Sequence, residues 1–323
     1  MPSSRKILID TDPGIDDAMA IHFAFAHPSL EVVGLTTVFG NVHVPVATRN
    51  ALALVEMANA ECPVAEGAAA PLVQALQPPA YFVHGEDGFG NSGVIEPSVR
   101  ADPRPAAQFI VDQINQSPGE IYLCPVGPLT NIALALRLDP SISEKVAGVT
   151  IMGGAVTCPG NVTAWAEANI WNDPHAAAEV FAADWPIILV GLDVTETVRC
   201  DAAHFADLAE AAPMIGGFLN RAVQFYFQWH VSKPHYLTGP FEGCFMHDPS
   251  AIAAVLQPDL FTMRKMPVHV TTEGEKIGRT LADPDAAGRP IEVCVAVDAD
   301  AVRQLFLETV KKADEQSAAR SVR

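Results

Sequence analysis

The chain has 323 residues, of which 49% are hydrophobic and 18% are charged, and its formal net charge is −18. This composition predicts a globular protein with a sizeable core, and the acidic balance argues against nucleic acid or an anionic membrane as a partner. No apolar run reaches the roughly 20 residues that span a bilayer, and the N-terminus leads into a predicted strand without a signal-like apolar segment. A cytoplasmic protein is therefore expected.

The first informative stretch joins a short strand to a helix through an acidic turn. The apolar run 7–9 predicts a buried parallel strand, Pro13 and Gly14 interrupt it, and a helix is predicted over 17–26. The turn carries four carboxylates, which are Asp10, Asp12, Asp16 and Asp17. A helix N-terminus accounts for one or two of them as caps, whereas a hard cation such as Ca²⁺ or Mg²⁺ accounts for all four. We therefore predict a metal site here.

Strands and helices then alternate along the chain. Further strands are predicted at 31–38, 62–65, 120–124, 149–152 and 186–190, and further helices at 45–60, 106–115, 130–138, from 174, at 213–230 and at 249–256. This alternation predicts the α/β class, with an open, mostly parallel, Rossmann-like sheet and helices on both faces. Strands at 268–272, 278–281 and 291–297 predict a small antiparallel C-terminal part, and a terminal helix at 300–312 precedes a frayed tail. No domain boundary is evident, so one domain is expected over 1–323.

Two stretches allow more than one interpretation. The loop-rich stretch 66–105 carries His84, and it is either a functional loop or a surface excursion. The helix at 213–230 ends in aromatic residues that either pack in the core or form a wall for a flat ligand. These residues are Phe225, Tyr226, Phe227 and Trp229.

The six cysteines point to neither a zinc site nor a redox motif. They are Cys62, Cys124, Cys158, Cys200, Cys244 and Cys294, and no two have the spacing of a zinc knuckle or a Cys-x-x-Cys pair. In a chain of this length they are expected to be reduced and structural.

Several polar residues follow predicted strands and should therefore meet at one edge of the sheet. Asp12, Asn41 and Thr130 each come after a strand, and His247 and Asp248 lie at the start of a helix. Each has an ordinary structural explanation, since Asn is common in turns and Thr is a good N-cap. In an open α/β sheet, however, ligands bind beyond the carboxyl ends of the strands. Together these residues predict one site.

A series of motifs in chain order resembles the nucleoside hydrolases, the inosine-uridine-preferring type of N-ribohydrolase. The first motif is the acidic turn from Asp10 to Ala18, and the series extends to about residue 250. The others are Thr36 to Asn41, His84-Gly85, Gly127 to Asn131, Met152 to Gly154, Glu167 to Asn169 and His247 to Pro249. The resemblance implies a purine or pyrimidine salvage enzyme that cleaves ribonucleosides into base and ribose. It also implies a bound Ca²⁺ and a homodimer or homotetramer.

The resemblance assigns roles to matching positions. It implies that Asp12, Asp17, Asp248 and the backbone carbonyl of Thr130 hold the Ca²⁺ ion. It implies contacts to the nucleoside as well, with Asp16, Asn169 and Asp248 at the ribose 2′- and 3′-hydroxyls, Glu167 and Asn161 at the 5′-hydroxyl, and Asn41 close by.

Glycosidic chemistry agrees with these assignments. Cleavage needs an attacking water, stabilisation of an oxocarbenium-like transition state and activation of the departing base. A cation lowers the pKa of a bound water, Asp12 can take its proton, and His247 is the candidate acid for the base, with His84 assisting there. Family members often carry an aromatic residue where this chain has Ala168. That departure, and the unaligned His235 and Tyr236, leave the base preference open.

Two other functions remain open from the sequence. Asp10 and Asp12 after an apolar strand also fit an Mg²⁺-dependent phosphatase of the haloacid dehalogenase type, with Asp10 as nucleophile. Pro13 fits that signature less well, and no convincing downstream Lys and acidic pair is present. The second alternative is a catalytically inactive Ca²⁺-binding protein, which would need neither Asp12 as a base nor His247 as an acid.

Overall fold

The computed structural model describes residues 4–93, 96–232, 241–282 and 288–321. Its centre is a nine-stranded sheet in the order β10-β9-β11-β6-β5-β4-β1-β2-β3, and a two-stranded sheet pairs β7 with β8. The strands are β1 (Arg5–Thr11), β2 (Leu30–Thr37), β3 (Val64–Glu66), β4 (Ile121–Pro125), β5 (Gly148–Met152), β6 (Ile187–Val190), β7 (Arg199–Cys200), β8 (Cys244–Phe245), β9 (Phe261–Val270), β10 (Thr280–Ala282) and β11 (Pro290–Val297).

Helices cover the sheet between and after these strands. They are α1 (Ile15–Ala26), α2 (Val44–Met57), α3 (Tyr81–His84), α4 (Ala106–Gln116), α5 (Thr130–Leu138), α6 (Ile142–Lys145), α7 (Ala168–Asn172), α8 (Pro174–Ala182), α9 (Leu192–Thr195), α10 (Ala202–Ala211), α11 (Ile215–Ser232), α12 (His247–Leu256), α13 (Ala299–Val310) and α14 (Ala313–Ser321), with a 3₁₀ turn at Pro258–Leu260. No helix among the described residues is long and apolar enough to cross a membrane.

The core lies on both faces of the sheet. Successive side chains of a strand point to opposite faces, so Ile7 and Ile9 of β1 belong to one hydrophobic cluster and Leu8 to the other. Helices α1, α11 and α12 pack on the first face, and α4, α5 and α8 on the second. The predicted α/β class, with helices on both faces of a mostly parallel sheet, is confirmed.

The direction in which the chain crosses the sheet reverses beside β1. Strand β1 pairs in parallel with β2 on one side and with β4 on the other. The chain proceeds outward from β1 through β2 to β3, then returns to β4 and continues through β5 to β6 on the opposite side. The loops after β1 and β4 therefore diverge at their carboxyl ends, which is where open α/β sheets form a crevice.

The antiparallel part predicted near the C-terminus forms one edge of the same sheet. Strand β11 pairs in parallel with β6 and antiparallel with β9, and β9 pairs antiparallel with β10. Strand β9 begins at Phe261, seven residues before the predicted start at 268. Arg264, Lys265 and Pro267 interrupt the apolar pattern that would predict a strand here. All three residues are tolerated because β9 lies near the sheet edge.

Besides the short helices α3, α6, α7 and α9, two longer helices depart from the sequence prediction. Helix α10 was not predicted, and only Phe205 and Leu208 of its residues are buried. The C-terminal tail was expected to fray, yet it forms α14, in which Ala313 is 2% exposed and Ser317 is 5% exposed. The guanidinium of Arg320 donates to the carbonyl of Phe25 at 2.7 Å, which ties this helix to the end of α1.

Candidate active site

The acidic turn after β1 is organised by Asp17. Its carboxylate accepts hydrogen bonds from the backbone N–H groups of Asp12 and Gly14 at 3.2 and 2.9 Å. It also accepts one from the Asn41 side chain at 3.0 Å. Asp17, the third residue of α1, thus caps the helix by accepting the N–H of the N-cap residue Gly14. The capping explanation holds for this one carboxylate and leaves the others unexplained.

The carboxylate of Asp12 is closely surrounded by backbone atoms. One carboxylate oxygen, Oδ2, accepts the backbone N–H of Asn41 at 2.7 Å. The other, Oδ1, is buried and has no hydrogen-bond partner among the described residues. A Cβ atom at Gly127 would lie 2.7 Å from Oδ1, so a glycine is needed for this approach. A buried carboxylate oxygen without a partner is costly unless a ligand, a water molecule or a proton satisfies it.

Three further carboxylates meet beside it. Asp16, Asp17 and Asp248 can each place an oxygen within 4.8 Å of the other two, and all three are buried. Oδ1 of Asp16 has no partner within the described ranges. Burial, followed by the charge of Asp17, raises the pKa of Asp16 to about 8. Such a cluster of hard oxygen ligands suits a divalent cation, whose charge would offset the mutual repulsion.

This arrangement overlaps with the predicted metal set without reproducing it. Asp17 and Asp248 meet as predicted, and Asp16, predicted at the ribose, joins them. Asp12 is not one of the three. Asp12 nevertheless has the same kind of environment as these three residues. Burial, followed by the charge of Asp17, raises the pKa of Asp12 well above its ordinary value.

Thr130 follows β4 at the point where the chain reverses direction. Its hydroxyl donates to Asp173 at 2.7 Å, and Thr130 opens α5 rather than capping it, which is one of the two structural roles expected for it. Leu129 occupies the cap position, and Thr130 is the first residue of α5. Asp173 also accepts the N–H of Ala176 at 3.0 Å and thereby caps α8. Asp173 was not singled out in the sequence, where it resembles an ordinary Asp-Pro helix start.

The block predicted to contact the ribose lies beyond β5. The side-chain amide of Asn169 donates to the carbonyls of Val126 and Met152 at 2.8 and 3.2 Å, which fixes it between the ends of β4 and β5. Glu167 is buried and accepts the N–H groups of Asn169 and Gly154 at 2.9 and 2.8 Å. Asn161 accepts the N–H of Ala168 at 3.0 Å and lies on the exposed side of this block.

Two histidines face this cluster from different elements. Nδ1 of His84 accepts the N–H of Ile15 at 3.2 Å, and Nδ1 of His247 is 2.8 Å from the hydroxyl of Thr195. Burial, followed by the charge of His247, lowers the pKa of His84 to about 3. Thr195, at the end of the short helix α9, carries no sequence signal that would have identified it.

The aromatic residues of α11 divide between the two interpretations. The hydroxyl of Tyr226 donates to Asp16 at 3.4 Å, and its ring centre is 5.5 Å from that of His84. Phe227 instead packs edge-on against Phe205 in the core, at 5.9 Å between ring centres. Tyr226 therefore belongs to the site and Phe227 to the core. His235 and Tyr236 lie outside the described residues.

Comparison with known proteins agrees with this geometry. The family model described as inosine-uridine preferring nucleoside hydrolase matches residues 7–304. The chain belongs to this family. Uridine nucleosidase 1 of Arabidopsis thaliana is 41% identical over 318 residues, which cover 95% of this chain and 92% of that protein. The non-specific ribonucleoside hydrolase RihC of Shigella sonnei is 42% identical over 297 residues, 91% of this chain and 93% of that one.

Solved structures of nucleoside hydrolases share the fold. The plant nucleoside hydrolase PpNRh1 superposes with a TM-score of 0.90 at 36% identity, covering 95% of this chain and 99% of that one. The purine-preferring ribonucleoside hydrolase from Gardnerella vaginalis gives a TM-score of 0.91 at 31% identity, covering 96% and 99%. The chain is therefore a nucleoside N-ribohydrolase, and the comparisons favour neither the phosphatase nor the inactive binding protein.

All six cysteines are free thiols.

Proposed function

We propose that this nucleoside hydrolase cleaves ribonucleosides with Asp12 as the general base and His247 as the acid for the departing base. The observation that carries the proposal is the placement of an unsatisfied, buried Asp12 oxygen in an acidic cluster at the point where the strand order reverses. His247 lies at the start of α12, next to Asp248 of the same cluster. In this proposal a base and an acid flank one crevice.

We further propose Ca²⁺ as the cation, held by Asp12, Asp17, Asp248 and the backbone carbonyl of Thr130. The donor set fits, because it consists of oxygens only and its carboxylates are buried without a compensating cationic side chain in the described contacts. A bound divalent cation would lower the pKa of these carboxylates and of a nearby water. It would thereby allow Asp12 to be a carboxylate at neutral pH.

The reaction follows from the two proton-transfer groups. The oxygen of a water molecule bonds to C1′ of the ribose while the bond from C1′ to the base nitrogen breaks, and the electron pair of that bond stays on the base. Asp12 takes one proton from the water, and His247 gives one proton to the base. Return of a proton from Asp12 to His247 through solvent restores both residues. The buried carboxylates also favour the positive charge that develops on the sugar.

The remaining predicted residues hold the ribose in our proposal. Asp16, Asn169 and Asp248 bind the 2′- and 3′-hydroxyls, Glu167 and Asn161 bind the 5′-hydroxyl, and Asn41 positions the carboxylates of Asp12 and Asp17. Asn169 is fixed by two backbone carbonyls, so it meets the sugar with little loss of side-chain entropy.

We propose uridine among the substrates. Two relatives have similar sequence identity to this chain. One, at 41%, is named as a uridine nucleosidase, and the other, at 42%, as a non-specific ribonucleoside hydrolase. Ala168 offers no stacking surface to the base. Among the described residues, Tyr226 and His84 lie close together beside Asp16 and are aromatic groups that could contact the base.

Ribose release from uridine, inosine, cytidine and adenosine tests the proposal. Each nucleoside is assayed with added Ca²⁺, after chelation, and with Asp12→Asn. We expect cation-dependent ribose release that falls by about a hundredfold or more in the variant, since general-base catalysis contributes about 10²–10⁴-fold. Asp300→Asn is the matched control, because Asp300 is an exposed residue that pairs with Arg303 on α13.

Two outcomes would contradict the proposal. Phosphate release from sugar phosphates under Mg²⁺, without ribose release from any nucleoside, would indicate the phosphatase. Calcium and nucleoside binding without turnover would indicate the inactive binding protein. The implied homodimer or homotetramer and the cytoplasmic location stay predictions, and sedimentation of the purified chain tests the first.

A further inference from the structure

All four N–H groups of the segment 154–157, which follows β5, are accepted by side chains of other elements. Glu167 accepts the N–H of Gly154 at 2.8 Å. The hydroxyl of Thr280 accepts the N–H of Ala155 at 2.8 Å and donates to the carbonyl of Ala155 at 2.9 Å. The segment lies outside any helix or strand, so these tertiary contacts set its path.

Asp193 accepts the remaining two N–H groups. It lies on the short helix α9, and its Oδ2 accepts the N–H of Val156 at 2.9 Å. Its Oδ1 accepts both the N–H and the hydroxyl of Thr157, each at 2.6 Å. Hydrogen bonds to a charged carboxylate are about twice as strong as those between neutral groups. One side chain thus fixes two successive peptide groups across 37 and 36 positions of the chain.

The segment leads into the loop 158–166, which carries Asn161. Only three residues separate Asn161 from Thr157. The side-chain oxygen of Asn161 accepts the N–H of Ala168 at 3.0 Å, which ties the loop to the start of α7. A displacement of Thr157 would therefore move the first limb of the loop and Asn161 with it.

The second limb of this loop rests on the turn between β9 and β10. Ala166 forms a β-bridge with Arg279. The ring centre of Trp165 lies 4.8 Å from the guanidinium carbon of Arg279 and 4.5 Å from Nζ of Lys276. A Cβ atom at Gly160 would collide with the backbone of Ala166, so the two limbs lie against each other. The loop is thus anchored at its start through α9 and at its end through this turn.

We propose that Asp193 is a positioning residue for the 5′-hydroxyl of the substrate, because its hydrogen bonds to the segment 154–157 hold Asn161 where that hydroxyl binds. This inference rests on the proposed function, in which Asn161 and Glu167 bind the 5′-hydroxyl. Asp193 does not contact the substrate and acts only through the loop. Its loss should therefore remove the gain in rate that comes from the 5′-hydroxyl and leave the rest of the reaction intact.

Uridine and 5′-deoxyuridine separate positioning from general damage, because they differ only in the 5′-hydroxyl. Uracil release measures cleavage of both. We expect wild type to prefer uridine by about 10- to 100-fold in kcat/KM, since the analogue leaves a polar partner unsatisfied. Asp193→Ala should reduce this preference to about threefold or less by losing activity on uridine alone. Asp207→Ala, which removes an exposed carboxylate of α10, is the matched control and should keep the preference.

The alternative outcomes have separate meanings. Equal losses on both substrates in Asp193→Ala would show that Asp193 only supports the fold, and they would overturn the inference while leaving the hydrolase intact. Equal cleavage of both substrates by wild type would overturn it as well, because the 5′-hydroxyl would then contribute nothing. If wild type releases no uracil from uridine and no base from any other nucleoside, the proposed function itself fails.

Hydrogen exchange measures the positioning without substrate. In Asp193→Ala we expect faster exchange at the amides of Val156 and Thr157, which lose their acceptor, while Gly154 stays protected by Glu167. Asp193→Asn keeps the shape of the side chain but presents a donor to one of the two N–H groups, so one amide should exchange faster. This variant serves both measurements if Asp193→Ala does not fold. Unchanged exchange at both amides would overturn the inference.

Discussion

At the scale of single residues, Asp12 is positioned by backbone more than by side chains. Asn41 contributes a peptide N–H, and Gly40 and Gly127 leave room for the two carboxylate oxygens. Gly40 also adopts a φ of +155°, which L side chains rarely reach. The carboxylate therefore has one accessible position, with Oδ1 free to meet a ligand.

The first prediction concerns Gly127. A methyl group in Gly127→Ala would displace the Asp12 carboxylate, and a shift of about 1 Å can cost about a hundredfold in rate. We expect kcat for the best nucleoside to fall by at least about tenfold. Gly217→Ala is the control, because a Cβ there meets its nearest neighbour at 3.6 Å. Unchanged kcat in Gly127→Ala would show that the carboxylate is not confined.

At the scale of elements, α1 carries the site and is held at both ends. All of its residues from Ile15 to Ala26 are buried, and its N-terminus presents Asp16, Asp17 and the N–H that meets His84. Its C-terminus is held through Arg320 of α14. Helix α14 also reaches α11, where Asp314 accepts the N–H groups of Met214 and Ile215 at 2.8 and 3.0 Å.

The second prediction tests this contact between helices. Asp314 caps α11 from another helix, so Asp314→Ala leaves two N–H groups without their partner. We expect a loss of about 1 kcal/mol in the free energy of unfolding, the usual worth of an N-cap, measured by urea denaturation. Glu315→Ala, which changes a neighbouring exposed carboxylate, should have little effect. Equal losses in both variants would contradict the capping role.

At the scale of the whole molecule, the fold gathers negative charge in its interior. Asp10, Asp12, Asp16, Asp17 and Asp248 are all buried near the carboxyl ends of β1 and β4. Burial raises the pKa of each of them, to about 7 for Asp10. Folding therefore crowds carboxyl groups whose ionisation is disfavoured, and a bound cation would offset that cost.

The third prediction concerns stability and the cation. An ion that binds only the folded state stabilises it by about 2.7 kcal/mol at a hundred times its Kd. We expect added Ca²⁺ to raise the Tm of chelator-treated protein by several degrees in a thermal melt, and Asp248→Asn to weaken that shift. Asp300→Asn should keep it. A Tm that does not respond to Ca²⁺ in wild type would argue against a cation site in this cluster.

The sequence alone determined the class of fold and the set of residues to consider. Strand and helix periods are local properties, so the alternation from β1 to β6 and the acidic turn at Asp10 to Asp17 could be predicted from neighbouring residues. The ordered motifs identified the family, as the match over residues 7–304 confirms. Amphiphilic patterns fail where packing overrides them, which is why β9 was predicted too short and the tail that forms α14 was expected to fray.

Only the tertiary structure decided how the residues of the site pair. Thr195 meets His247 across 52 positions of the chain, and the N–H of Ile15 meets His84 across 69. Neither contact leaves a local signal, because a hydroxyl and a peptide N–H are present throughout any chain. The fold selects among them by bringing helix ends and loops to one edge of the sheet, and this selection gives two similar histidines different partners.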